Sequence, residues 1–371
     1  MYKLNFDDAA ERNARFLKRE MMDGILFKAE VHENPYVSGS DIYLNRDKSW
    51  SDRECLAVCD KKWVLQNERF KAMIYKDIDD DTITEGYPTL HFGESFYPAM
   101  LGAKVRFVGS MVHTCSGAKP IIFNEADLSK LNGYESNEWT NIFIESARYF
   151  ADNTNGDFWL KYLISIDALN LAVELLGTTD AYFMIYDDPD LLEKIMEFGV
   201  EFNYWFYLLQ KEIYAENNRA ALGDELYELY DKTWYSIDAY NCCSPDVYKN
   251  MGFDYQKRLI DKIGGGKLHT HGTGLMNILP YISKLNNLSI MQIGRDKQSG
   301  EDIMNLDNLM YIREITGDIP LSISVSPDEF KNGIKNQTLP GGIEYICYVK
   351  NTVEANRFAD IAKNYKPPGN V

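Results

Sequence analysis

Positive charge is in short supply in this chain: 39 lysines and arginines stand against 56 aspartates and glutamates, a net charge of −17. Nucleic acid and anionic lipid both reward dense positive charge, so neither is an expected partner. Cysteine is sparse too, with six residues scattered over 371. That pattern suggests no disulfide framework, and a reducing cytoplasm is the expected compartment. Long apolar runs are missing. No stretch approaches the roughly 18 residues a membrane span needs. The opening MYKLNFDDAAERNARFLKRE holds no apolar core of signal-peptide length. Internal repeats and low-complexity segments do not stand out either.

What the chain does have is bulk for a core. Hydrophobic residues make up 45%, and 25 tyrosines and 18 phenylalanines supply large packing surfaces. Residues 1–80 are charged and mostly helical in pattern, in DDAAERNARFLKREMMDG and again in SDRECLAVCDKKWVLQNERFKAMIY. After DIDDDT the texture changes. Candidate strands are YPTLHF, KVRFVG, FWLKYLIS, WYSID, GKLHTH, LSIMQI, PLSIS and GIEYICY, and clear helical runs separate the later ones. A further long helix is expected after Asp188, an acidic cap followed by Pro189 in the first turn. Strand, helix, strand with short connections is the signature of a parallel sheet. Eight candidate strands over about 290 residues suit a (β/α)8 barrel. The expected organisation is therefore an N-terminal helical extension, residues 1–80, packed on a barrel of residues 81–371.

In a barrel, chemistry sits where strands end and the following loops begin. His269 and His271, two of only five histidines, end the candidate strand GKLHTH. Residues i and i+2 of a strand share a face, about 6.5 to 7 Å apart at the backbone. Two imidazoles so placed can converge on one metal ion, and zinc suits imidazole, thiolate and carboxylate donors. Such a pair can equally bond backbone or bind phosphate without metal. Cys347, late in GIEYICY, should end near the same rim, although a strand cysteine is most often a small core residue. Asp238 ends WYSID and could be a ligand, a partner that orients a histidine, or the cap of the next helix. Cys242 and Cys243 are adjacent and point apart, and Cys55 and Cys59 fit core packing. Gly264 to Gly266 lacks the lysine and spacing of a phosphate loop and reads as a helix stop.

The stretch YNCCSPDVYKNMGFDYQKRLIDKIGGGKLHTHGTGLMNILPYI resembles a region of the uroporphyrinogen decarboxylase superfamily, where a Ser-Pro helix leads into a strand ending His-x-Cys-Gly. YPAMLGAKVRF, GAKPIIFNEADLSKL, LAVELLGTTDAYFMIYDDPDLLEKIM and GGIEYICYVKNTVEANRFADIAKNYK add to the likeness, which runs from about residue 65 to the end. The resemblance implies a (β/α)8 barrel and one of two chemistries. True decarboxylases remove carboxylates from uroporphyrinogen without a cofactor. Corrinoid-dependent methyltransferases hold zinc through His-x-Cys and a later cysteine, and move methyl groups to or from a thiol.

The decarboxylase marks are missing here, namely an arginine-rich N-terminal segment and a C-terminal Gly-His-Gly. Their essential aspartate would fall near FGESFYPAMLG, where Glu94 is the closest acid. On the methyltransferase side His269 matches the motif histidine, His271 replaces the motif cysteine, and Cys347 matches the later cysteine. The resemblance thus implies a zinc-dependent methyltransferase with metal ligands His269, His271 and Cys347, and with Glu94 and Asp238 as the acids that orient groups or manage protons. A corrinoid would come from a partner protein, and the other partner would be a small-molecule substrate. Homodimerisation is left open. The alternatives are a uroporphyrinogen or related tetrapyrrole decarboxylase, and a non-catalytic barrel that binds corrinoid or tetrapyrrole.

Overall fold

The computed structural model describes residues 3–31, 61–86, 95–109, 114–272, 274–295 and 305–368. Its strands are β1 (Leu26–Val31), β2 (Glu85–Gly86), β3 (Val105–Gly109), β4 (Thr114–Ala118), β5 (Trp159–Leu160), β6 (Ser165–Ile166), β7 (Trp234–Ser236), β8 (Gly266–His271), β9 (Leu288–Gly294), β10 (Leu321–Val325) and β11 (Ile343–Val349). Seven of them form one sheet in the order β1-β11-β10-β9-β8-β7-β6, with every described pairing parallel. A parallel pairing needs a crossover, and helices supply it. Phe253–Ile263 precedes β8, Leu275–Ile282 and Leu306–Thr316 follow β8 and β9, and Pro327–Asn336 and Thr352–Asn364 follow β10 and β11. Their ends obey local rules. Ser326 and Glu329 form a reciprocal capping box ahead of Pro327, and Asn351 caps the last helix. Among the described residues no helix is long and apolar enough to cross a membrane.

The two faces of the sheet carry opposite chemistry. On the outer face Phe27 and Tyr345 meet Phe330, and Phe27 and Phe330 meet Phe358, at ring separations of 4.9 to 6.2 Å. Leu321, Ile323, Val325, Ile343, Cys347 and Val349 are buried in that same core. The inner face is polar. Lys28 and Glu30 of β1, Gln292 of β9, and Glu344 and Tyr348 of β11 line one cavity of about 420 Å³. Lys28 pairs with Glu344 at 2.6 Å, and Ser322 donates to the same carboxylate at 2.8 Å. The corresponding face in a barrel is usually filled by branched apolar side chains, so this sheet departs from that norm. At the floor Leu26 and Ile290 pack with Phe16 and Met21 of the N-terminal segment. Lys267 is buried against the rings of Trp159, Tyr230 and Trp234, and burial pushes its amine down to about 7.

Three features differ from the sequence reading. Residues 1–80 are not helical throughout, because Leu26–Val31 is a strand paired in parallel with β11. Its alternation hides it. Lys28 and Glu30 point into the ring, so the strand's inward positions are charged. KVRFVG is a strand, but an antiparallel hairpin partner of β4 outside the main sheet. FWLKYLIS splits into β5, paired with β2, and β6, paired with β7. YPTLHF lies outside the described residues.

The expected eight-stranded barrel is consequently not closed among the described residues: the main sheet has seven strands and ends at β1 and β6. Between β5 and β6 the backbone bonds leave the ladder, and Leu163 N–H donates to Gln210 Oε1 at 2.6 Å. At β1 the missing neighbour is replaced by two carboxylates. Phe27 N–H donates to Asp81 Oδ2 at 2.9 Å, and Ala29 N–H donates to Asp80 Oδ2 at 2.7 Å. Arg12 binds Asp81 at 2.6 Å and Lys3 pairs with Asp80, so both charges are compensated. Gly86 in β2 is needed for a different reason: a Cβ there would sit 2.1 Å from the Phe158 ring.

Because the buried Asp81 serves both a strand edge and the half-buried Arg12, Asp81→Ala should cost about 3–5 kcal/mol of unfolding free energy in urea titrations. A loss below about 1 kcal/mol would mean that β1 holds its place without this carboxylate.

Candidate metal centre

The backbone register builds this site before any side chain is considered. Ser236 of β7, His269 of β8 and Gln292 of β9 lie in one row across the sheet, with His271 opposite Gly294 in the row two residues further along. Strand alternation sends His269 and His271 to the same face, and their rings stand 5.0 Å apart, nearly perpendicular. Asp238 opens the short turn Asp238–Cys242 directly after β7. Ile237 N–H donates to His269 O at 3.3 Å and keeps that turn beside β8. From behind, Asn170 donates to Ser236 O at 3.0 Å and accepts from Ala239 N–H at 2.6 Å. The ring of Tyr240 packs on Tyr248 and on Gly252, where a Cβ would come within 2.6 Å of it.

Electrostatics single out the same three residues. Asp238 Oδ2 accepts from Ser236 Oγ at 2.6 Å. Its buried Oδ1 accepts no hydrogen bond of good geometry among the described residues and lies 3.5 Å from His271 Nε2. Burial pushes the Asp238 carboxyl upward, but His271 and Ser236 outweigh it and hold the group below the usual carboxylate value. His269 Nδ1 is 3.0 Å from Gln292 Oε1. A carboxamide oxygen only accepts, so the proton belongs on Nδ1 and Nε2 keeps its lone pair. A Cβ on Gly294 would sit 3.1 Å from His271 Nδ1, so glycine there leaves the imidazole its room.

One ligand atom each from Asp238, His269 and His271 lies within 4.8 Å of the other two. The set fits a divalent cation on three counts. It offers two imidazoles and a carboxylate, leaves one buried oxygen unsatisfied, and holds a ligand from outside through Gln292 and another through Ser236. With three protein donors, a four-coordinate zinc would keep one position for a substrate.

The sequence candidates separate in space. His269, His271 and Asp238 come together. Cys347 does not join them: it is fully buried on the outer face of β11, in register with Ala29 and Val325, and burial pushes its thiol up to about 12. Parity decides this, since Glu344, Ile346 and Tyr348 hold the inward positions of that strand. Asp238, one of whose readings was as a ligand, occupies the third place. Glu94, Cys55 and Cys59 lie outside the described residues. Cys242 is exposed, and the half-buried Cys243 donates weakly to Ala239 O at 3.6 Å. Sequence reasoning missed Ser236, Gln292 and Asn170. Ser236 stands two residues before Asp238, the same spacing as the histidines, and Gln292 is a polar residue inside an apolar strand. Nothing local marks Asn170.

No family profile matches the chain, and no curated protein does. Among solved structures the fold is similar to that of a methyltransferase from Methanosarcina mazei, with 12% identity, a TM-score of 0.58, and coverage of 96% of this chain and 98% of that one. A B12-independent methionine synthase from Shewanella sp. W3-18-1, in complex with selenomethionine, matches more loosely, with 14% identity, a TM-score of 0.41, and coverage of 92% and 95%. At these identities the likeness is one of fold.

Zinc titration of the protein should saturate at one ion per chain. His269→Ala, His271→Ala and Asp238→Ala should each weaken it more than about 100-fold, and Gln292→Ala by about 10- to 100-fold. Cys347→Ser should leave it unchanged, and the cobalt-substituted protein should lack thiolate-to-metal charge-transfer absorption. Wild-type zinc affinity in His271→Ala would sink the assignment.

Proposed function

We propose that this chain is a metal-dependent methyltransferase that passes a methyl group to or from a small thiol, with zinc held by Asp238, His269 and His271. The observation that carries the reading is the cluster of those three side chains at the end of β7 and β8. The fold likeness to a methyltransferase over almost the whole of both chains supports it, and so does the family resemblance of the sequence around His269. A zinc ion there would act as a Lewis acid that lowers the pKa of a thiol at the open position.

The protein's own groups do the rest. Gln292 fixes the tautomer and orientation of His269. Ser236 holds Asp238 Oδ2, so that Oδ1 faces the histidines. Asn170 pins the turn that carries Asp238. His271 and Asp238 are both about one-third exposed, which leaves the group open to a ligand from the ring interior. Glu94 keeps the proposed role of proton handling, and a corrinoid protein remains the proposed methyl carrier. The described lysines of the cavity favour this reading over tetrapyrrole decarboxylation. Lys28 and Lys161 are each engaged by a glutamate, at 2.6 and 2.9 Å, so Lys71 is the one described lysine of the cavity without an ion pair, and one lysine makes no basic cluster for a polycarboxylate.

Incubating zinc-loaded protein with methylcobalamin and small thiols should give a thioether in proportion to demethylated cobalamin. His271→Ala and Asp238→Ala should lose more than about 100-fold in rate, or about 3 kcal/mol, while Cys347→Ser keeps most of it. Cobalamin binding with no thioether from any thiol would remove methyl transfer and leave a carrier.

A further inference from the structure

The cavity inside the ring has an arrangement of charge that the metal group does not explain. Two of its lysines are matched: Lys28 with Glu344, and Lys161 with Glu85. Glu30 and Lys71 line the same space and are left over. Lys71 is near enough for its charge to pull on both Glu30 and Glu85. Yet among the described residues no ion pair within 4 Å joins Lys71 and Glu30 or links either to another group. The hydroxyl of Tyr348 donates to Glu30 and sets its direction.

One negative and one positive group thus face a common space of about 420 Å³, within the range of small-ligand pockets. A lone cation would suit Glu30 but meet Lys71, and a lone anion would meet the reverse mismatch. Glu30 is exposed and Lys71 half-buried, so both are open to the cavity, and a molecule with both charges satisfies both residues.

We propose that this cavity binds a small amino-acid-like zwitterion, its ammonium on Glu30 and the Tyr348 hydroxyl and its carboxylate on Lys71. Gln292 lines the cavity and also holds His269 Nδ1 at 3.0 Å, so the side chain of such a ligand lies next to the metal group. Delivery of a thiol to that group rests on the methyl-transfer reading; the preference for a zwitterion does not.

The test is calorimetric titration of zinc-free and zinc-loaded protein with L-homocysteine, 3-mercaptopropionate and cysteamine. These share a thiol and differ in carrying both charges, only the carboxylate or only the amine. L-Homocysteine should bind at least about 10-fold tighter than either of the others in both forms, a difference of about 1.4 kcal/mol. Glu30→Gln and Lys71→Met should each remove most of that advantage with zinc content unchanged. Equal binding of the three thiols, or an advantage that survives both substitutions, would overturn the proposal. If zinc fails to bind while the preference persists, the methyl-transfer reading falls and this one stands. Zinc-dependent thioether formation without the preference would discard the zwitterion site and leave methyl transfer intact.

Discussion

The pleat of parallel strands is the constraint on which the rest of this molecule depends. Each strand sends alternate side chains to opposite faces, and the helices cover only one of those faces. In β11 the sorting is plain: Ile343, Tyr345, Cys347 and Val349 enter the apolar layer, while Glu344, Ile346 and Tyr348 look into the ring. The same rule makes Lys267, His269 and His271 neighbours on the inner face of β8. Burial, charge pairing and the metal group are consequences of that sorting.

A polar interior has to be satisfied piece by piece. Here glutamates answer lysines, Ser322 donates to Glu344, and the aromatic box of Trp159, Tyr230 and Trp234 surrounds Lys267. The open side of β1 follows the same logic. Asp80 and Asp81 accept the N–H groups that a neighbouring strand would have taken, and Lys3 and Arg12 neutralise them. Charge therefore satisfies the edge of the sheet where backbone pairing stops. That leaves the inner space lined with polar and charged groups, in place of a filled apolar core.

The metal group gains its precision from residues that are not ligands. Ser236, Gln292 and Asn170 each hold a donor or the turn that carries one, and Tyr240 seats that turn against a helix that makes room for it at Gly252. Two imidazoles and a carboxylate form a harder donor set than two imidazoles and a thiolate. A metal held by Asp238 in place of Cys347 would therefore be more Lewis-acidic.

From residue order alone came the alternation of strands and helices in the second half, the helix start at Asp188, and the two histidines on one strand face. These are local properties, set by spacing and by the backbone preferences of single residues. Strand β1 escaped because strands of a parallel sheet are expected as near-continuous apolar runs, and Lys28 and Glu30, which face the cavity, interrupt this one. The third member of the group was named only as one reading of Asp238, with Cys347 preferred, because strand ends meet through register and parity. Whether Asp238 or Cys347 faces His271 depends on how β7, β8 and β11 are offset and turned, and those offsets arise only when the sheet assembles.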